Sequence, residues 1–114
     1  MAKHDDQVTL RQMRDAARKA LIVIEGRQRP DLDDDWIATL ALMQLLQIVG
    51  EAARRVSVRF RHDHPEIAWA QIIGLRNRLI HGYDTVDLDR LWRVMTVDLP
   101  ALTVALDRIL DVRS

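Results

Sequence analysis

From Trp36 to Val49 the chain runs for about 14 residues with only Thr39, Gln44 and Gln47 interrupting an apolar sequence. A helix packed on one side shows an apolar stripe, whereas this segment is apolar on nearly every side. Two arrangements would cover it: a central helix enclosed by its own chain, or a seam between two copies of the same chain. The run falls short of the roughly 20 residues needed to span a bilayer core. The expectation is therefore a buried helix.

The rest of the chain fits the same architecture. Four Gly and three Pro are all the punctuation there is, and no segment sustains the alternation that a strand needs. An all-α, up-and-down bundle of four to five helices follows. The first helix spans about Asp6 to Glu25, with Leu10, Met13, Ala17, Ala20, Leu21 and Ile24 at helical spacing and Gly26 as its stop. Pro30 and Asp31, Asp33, Asp34 and Asp35 form a connector whose last members cap the second helix, which continues to about Phe60. A third helix is expected from Glu66 to Ile80, ending near Gly82. Asp87 caps a fourth, and Asp98 with Pro100 marks a kink or restart into a last stretch carrying Leu102, Leu106, Ile109 and Leu110.

With 114 residues and 48% hydrophobic composition the chain supports one core and thus a single domain over residues 1–114. Lys plus Arg and Asp plus Glu balance at 17 each, so no global field draws the molecule onto nucleic acid or an anionic membrane, and any contact with such a partner must be local. No cysteine is present, which removes disulfides, thiolate chemistry and cysteine-ligated zinc. The segment Met1 to Asp6 is polar and charged with no apolar run behind it, which argues against a secretory signal and makes a cytoplasmic location, away from membranes, the expectation.

The residues with most chemical potential are Arg76-Asn77-Arg78-Leu79-Ile80-His81-Gly82-Tyr83. If the helix ran through them, Ala68, Ile72, Leu75 and Leu79 would face the core. Asn77 and His81 would pair at i, i+4 on the outer side, beside the small residues Ala70 and Gly74. Arg76 would lie about 140° round from His81, so the two can meet one phosphate only if the helix end unwinds or a second subunit supplies one of them. RNA is cut without metal when a base takes the 2′-hydroxyl proton, an acid protonates the leaving 5′-oxygen and cations hold the charged phosphorane. His81 suits the proton transfer and the Arg76 guanidinium the phosphate, with Asn77 orienting either. One chain offers one histidine here, and a two-fold axis would supply the second. Against this stands the ordinary reading of a histidine at a helix C-terminus as a dipole partner and of an arginine one turn earlier as surface charge.

The pattern Arg76-x4-His81-x-Tyr83 resembles the RX4HXY motif of HepT-like toxins, helical ribonucleases of the HEPN superfamily. The likeness extends to Ile48-Val49-Gly50-Glu51-Ala52, to Trp69, to Trp92 and to Asp98-Leu99-Pro100, covering most of the chain from Asp33 onward. What the resemblance implies is a HEPN-like bundle acting as a homodimer, with Arg76 and His81 as catalytic residues, Asn77 in support, and no cofactor. It also implies a partner: a minimal nucleotidyltransferase antitoxin of the MntA type, which silences the toxin by transferring AMP from ATP to the motif tyrosine, here Tyr83. Tyr83 is the only tyrosine, and AMP on it would bring bulk and negative charge beside a cleft meant for phosphate. Without the resemblance, Tyr83 reads equally as a packing residue against Ile80 and Trp69.

Other residues fit simpler accounts. His62-Asp63-His64 lacks a third and fourth metal ligand at recognisable spacing, and Asp31 to Asp35 is explained by capping. No metal site is expected. Arg54, Arg55, Arg59 and Arg61 either guide RNA phosphates or solvate a helix end. Glu51 follows Gly50 on a strongly apolar helix; a buried carboxylate there would need an arginine partner, with Arg76 or Arg78 as candidates, which makes Glu51 and Arg78 supporting residues of the site. The rival functions are a catalytically silent helical module binding the nucleotidyltransferase or a nucleotide, and a purely structural helical dimer. The second is disfavoured by Arg76, Asn77 and His81 crowding a place where leucines would pack better.

Overall fold

A computed structural model describes residues 5–81 and 85–111. Helix α1 spans Asp6–Ile24, and its N-terminus is capped by the Asp5 carboxylate, which accepts the Gln7 amide. Leu10, Met13, Ala16, Ala17 and Ala20 line its buried side. Gly26 ends the segment at φ 77°, a conformation only glycine adopts cheaply. The acidic connector forms one short helix, α2 (Asp31–Asp34), and Asp35 then caps α3 (Trp36–Arg55) through the Ala38 amide, 2.9 Å away. That amide holds the Asp35 carboxyl below its ordinary range, with the Arg27 guanidinium adding to the effect.

Helices α1 and α3 pack against each other along their length. Asp6 accepts the Ser57 amide and hydroxyl at 2.9 and 2.6 Å, and Gln12 accepts Arg55, so the start of α1 meets the end of α3 and the two run antiparallel. Leu42, Leu46, Val49, Ala52 and Ala53 fill the space between them. The second helix stops earlier than its composition suggests. Ser57 caps a separate α4 (Val58–Asp63), and this places Phe60 in the core against Trp69, with His64 stacked on Phe60 at 4.2 Å. His62 stays in solvent, and among the described residues no three His, Asp or Glu side chains converge on a metal-sized site.

The expected third helix is two short ones, α5 (Trp69–Ile73) and α6 (Leu75–Leu79), split at Gly74. Strand β1 (Ile80–His81) then pairs antiparallel with β2 (Thr85–Val86), with Ile80 opposite Val86 and His81 opposite Thr85. This hairpin was not foreseen, being too short to show alternation. Helix α7 (Leu88–Arg93), capped by Asp87, leads through one π-helical stretch, Val94–Asp98, directly into α8 (Leu99–Asp111). Pro100 has no N–H for the α-helical ladder, and the backbone widens over the preceding residues instead of breaking there. Leu102, Leu106 and Leu110 carry α8 onto α1, where Asp107 meets Arg14 and Arg18 at 3.5 and 2.6 Å. The architecture is all-α, and the β1–β2 pairing is the one departure among the described residues.

Of the two arrangements expected for α3, full enclosure by its own chain is not what the structure shows. Helices α1 and α2 pack against α3, yet near its start Trp36, Ile37 and Leu40 remain 67%, 65% and 60% exposed. The full helix, at 20 residues, is by length and composition able to cross a membrane, so the length argument drawn from its apolar run does not hold. Its other face is nonetheless the packing surface of the bundle.

Candidate functional site

The site begins with a glycine. Where α3 crosses α5, a Cβ on Gly50 would stand 3.0 Å from the Ile72 carbonyl oxygen and 3.5 Å from that of Ile73. The missing side chain is what lets the two backbones approach. Helix α5 is anchored by Trp69, which is buried and donates its indole N–H to the His64 carbonyl at 2.9 Å. From α5 the chain turns at Gly74 into α6, whose Leu75 and Leu79, one turn apart, are buried at 7% and 0% exposure. Their burial turns Arg76, Asn77 and Arg78 outward.

Arg76 and Asn77 open into a groove of about 260 Å³ whose far wall is α3, contributed by Gln47, Gly50, Glu51 and Arg54. Two guanidiniums, one carboxylate and two carboxamides thus face a shared space. Such a set holds phosphate oxygens through charge-assisted hydrogen bonds and reads base edges through amides. Glu51 is exposed and makes no ion pair among the described residues, which corrects the expectation of a buried, arginine-paired carboxylate. The physical reason is that Glu51 lies on the outer side of α3, between the buried Gly50 and Ala52. Arg78 belongs elsewhere: it borders a separate groove with Glu66 and Asp98.

His81 is not part of the α3 groove. Helix α6 ends at Leu79, and Ile80 is extended at φ −108°, ψ 126°, so His81 sits on β1 and not on a helix. The i, i+4 pairing with Asn77 therefore does not apply. The helix does end before His81, but within one chain Arg76 and His81 do not line a common groove. The imidazole is 59% exposed and its Nε2 lies 3.1 Å from Asp87 Oδ2. Asp87 also accepts the Arg90 amide at 3.0 Å through Oδ1, its role as cap of α7. That amide first, and the imidazole second, hold the Asp87 carboxyl below the ordinary carboxylate range. Arg90 in turn donates to the Arg78 carbonyl at 3.1 Å, tying α7 to the end of α6.

Sequence reasoning foresaw Asp87 as a cap and missed its contact with His81. The two are six residues apart, and only a hairpin joins them. Arg54 was visible as one of a basic cluster, with nothing to distinguish it from Arg55 or Arg59 until α6 folded beside it. Gly82 and Tyr83 lie outside the described residues.

Known proteins share this sequence over most of its length. A protein of Thermococcus cleftensis named "Probable ribonuclease HepT" is 35% identical over 88 residues, covering 74% of this chain and 80% of its own. A protein of Methanocaldococcus jannaschii named provisionally as an RNase is 28% identical over 102 residues, covering 90% of this chain and 94% of its own. Another with such a name, from Caldanaerobacter subterraneus, is 31% identical over 88 residues, or 77% and 79% of the two chains. No solved structure matches at a significant level. The family described as Ribonuclease HepT-like matches residues 13–109, which takes in α3, the groove, both strands and most of α8. The chain therefore belongs to the HepT-like ribonuclease family of the HEPN superfamily.

Proposed function

We propose that this protein is a metal-independent endoribonuclease, the toxin of a toxin–antitoxin pair, and that two copies form its RNA-cutting cleft. The observation that carries the reading is the outward set of Arg76 and Asn77 in a groove with Arg54 and Glu51, in a chain of this family whose motif histidine, His81, is also solvent-accessible. In the reaction, His81 of one subunit takes the proton of the RNA 2′-hydroxyl. The freed oxygen attacks the adjacent phosphorus, Arg76 stabilises the pentacoordinate charge, and the 5′-oxygen departs with a proton from the second subunit's imidazole. A 2′,3′-cyclic phosphate and a free 5′-hydroxyl remain.

The homodimer is supported by the uncovered stripe of α3. Trp36, Ile37, Leu40 and Ile48 follow helical spacing down one side, and the same side continues into Gln47, Glu51 and Arg54 of the groove. Exposed apolar side chains grouped on one side of a helix, here with Gln44 and Gln47 among them, are a surface that a partner would cover. A second copy seated there brings its own cationic groove next to the first. The resemblance extends the proposal to control: an MntA-type nucleotidyltransferase transfers AMP from ATP to the Tyr83 hydroxyl, releasing pyrophosphate. The added phosphate then repels the RNA backbone from the cleft.

The test is cleavage of single-stranded RNA by purified protein in EDTA, with the 3′ ends of the products identified. Wild type is expected to leave cyclic phosphate, and Arg76→Ala and His81→Ala each to cut at least about a hundredfold more slowly. Either variant cutting at the wild-type rate would refute the mechanism.

A further inference from the structure

We propose that Asp87 is the positioning residue for His81, fixing which of its two ring nitrogens is free to exchange a proton with RNA. The proposal rests on the reading of His81 as the proton-transfer group. An imidazole on a two-residue strand, more than half exposed, has little packing to define its orientation. Among the described residues its one polar contact is Nε2 to Asp87 Oδ2 at 3.1 Å. Asp87 itself is held at several points. Its own N–H donates to the Leu79 carbonyl at 2.7 Å, its Oδ1 accepts the Arg90 amide at 3.0 Å, and its side chain is only 24% exposed. The β1–β2 pairing, with Ile80 opposite Val86 and His81 opposite Thr85, brings the histidine back beside this fixed carboxylate.

The chemistry follows from the inventory of donors. An ionised carboxylate only accepts, so the ring nitrogen facing it must carry hydrogen. In the neutral imidazole that places the proton on Nε2 and leaves the Nδ1 lone pair as the base. When Nδ1 takes the 2′-hydroxyl proton, the resulting imidazolium keeps its contact with Asp87 and stays in place for the next transfer. The cap thus has a second use: one oxygen starts α7 while the other sets the tautomer of the histidine. The carboxylate's depressed proton affinity keeps it an acceptor throughout the neutral range.

Two substitutions separate this role from capping. In Asp87→Asn the carboxamide oxygen still caps α7, and its NH2 faces the ring as a donor, which reverses the tautomer. In Asp87→Ser the hydroxyl caps the helix and is too short to reach the ring. Nitrogen-15 NMR of the histidine ring, assigned by comparison with His81→Ala, is expected to show hydrogen on Nε2 in wild type and on Nδ1 in Asp87→Asn. RNA cleavage in EDTA is expected to fall about ten- to a hundredfold in both Asp87 variants, in kcat and not in KM, with little change in Tm. The proposal is overturned if His81 shows the same tautomer in wild type and Asp87→Asn, or if both variants cut at full rate while His81→Ala does not. Full cleavage by His81→Ala would instead sink the catalytic reading, and the tautomer measurement would still decide what Asp87 does to the ring.

Discussion

Replacing Gly50 by alanine sets helix propensity against packing at the crossing of α3 and α5. An alanine in a helix interior is favoured over glycine by about 1 kcal/mol. The new methyl, however, would lie 3.0 Å from the Ile72 carbonyl oxygen, a few tenths of an ångström inside ordinary contact. That oxygen is backbone, accepts the Gly74 amide at the end of α5, and belongs to a helix pinned by Trp69 in the core. It has no flexible side chain to yield, so the helices must separate, at a cost of about 1–3 kcal/mol for overpacking. Packing wins by roughly 1 kcal/mol, which lowers Tm by about 4 °C in a domain of this size. Because Gly50 and Arg76 line the same groove, RNA cleavage well below the melting temperature should fall as well. Thermal unfolding followed by circular dichroism reads the first effect. A rise in Tm of the size expected from propensity alone would show that α3 and α5 do not approach as closely as described.

Two further outcomes follow from single positions. Gly26→Ala meets no neighbour within 4 Å, so its cost is purely that of a side chain at φ 77°, about 1 kcal/mol, seen as a lower urea midpoint with an unchanged slope. Asp35 and Asp87 both have carboxyls held below their ordinary value of 3.8, so each contributes stability that is complete above that value and is lost as pH falls below it through the lower value each has in the folded chain. Wild type should therefore lose stability as pH falls below about 4, and Asp35→Asn should be less steeply dependent on pH there, as measured by urea midpoints across the acid range.

Much of the bundle was legible because its signals are local. The apolar spacing of Leu10, Met13, Ala17 and Ala20, the stop at Gly26, and the caps at Asp35 and Asp87 each depend on a few neighbouring residues. The misread boundaries lie where a continuous pattern hides a break. Ser57 caps a new helix inside a stretch with no Gly or Pro to mark the break, and Gly74 divides a segment whose apolar residues keep their spacing on both sides. The site was half legible. Arg76, Asn77 and His81 were found as chemistry in one motif, but their grouping depended on a helix that stops at Leu79. The partners that complete each half, Arg54 for Arg76 and Asp87 for His81, come from residues brought near by the fold. The exposure of Trp36, Ile37 and Leu40 was equally beyond reach, since composition states how much apolar surface exists and not which neighbours arrive to cover it.

The claim that two chains make one RNA-cutting cleft is tested most directly by cleavage per chain as wild-type protein is diluted, with sedimentation measuring the dimer fraction. Activity per chain should fall in step with that fraction, and Leu40→Glu, which charges the exposed stripe, should be a folded monomer with no cleavage. A monomer that cuts RNA as fast per chain as the concentrated protein would contradict it.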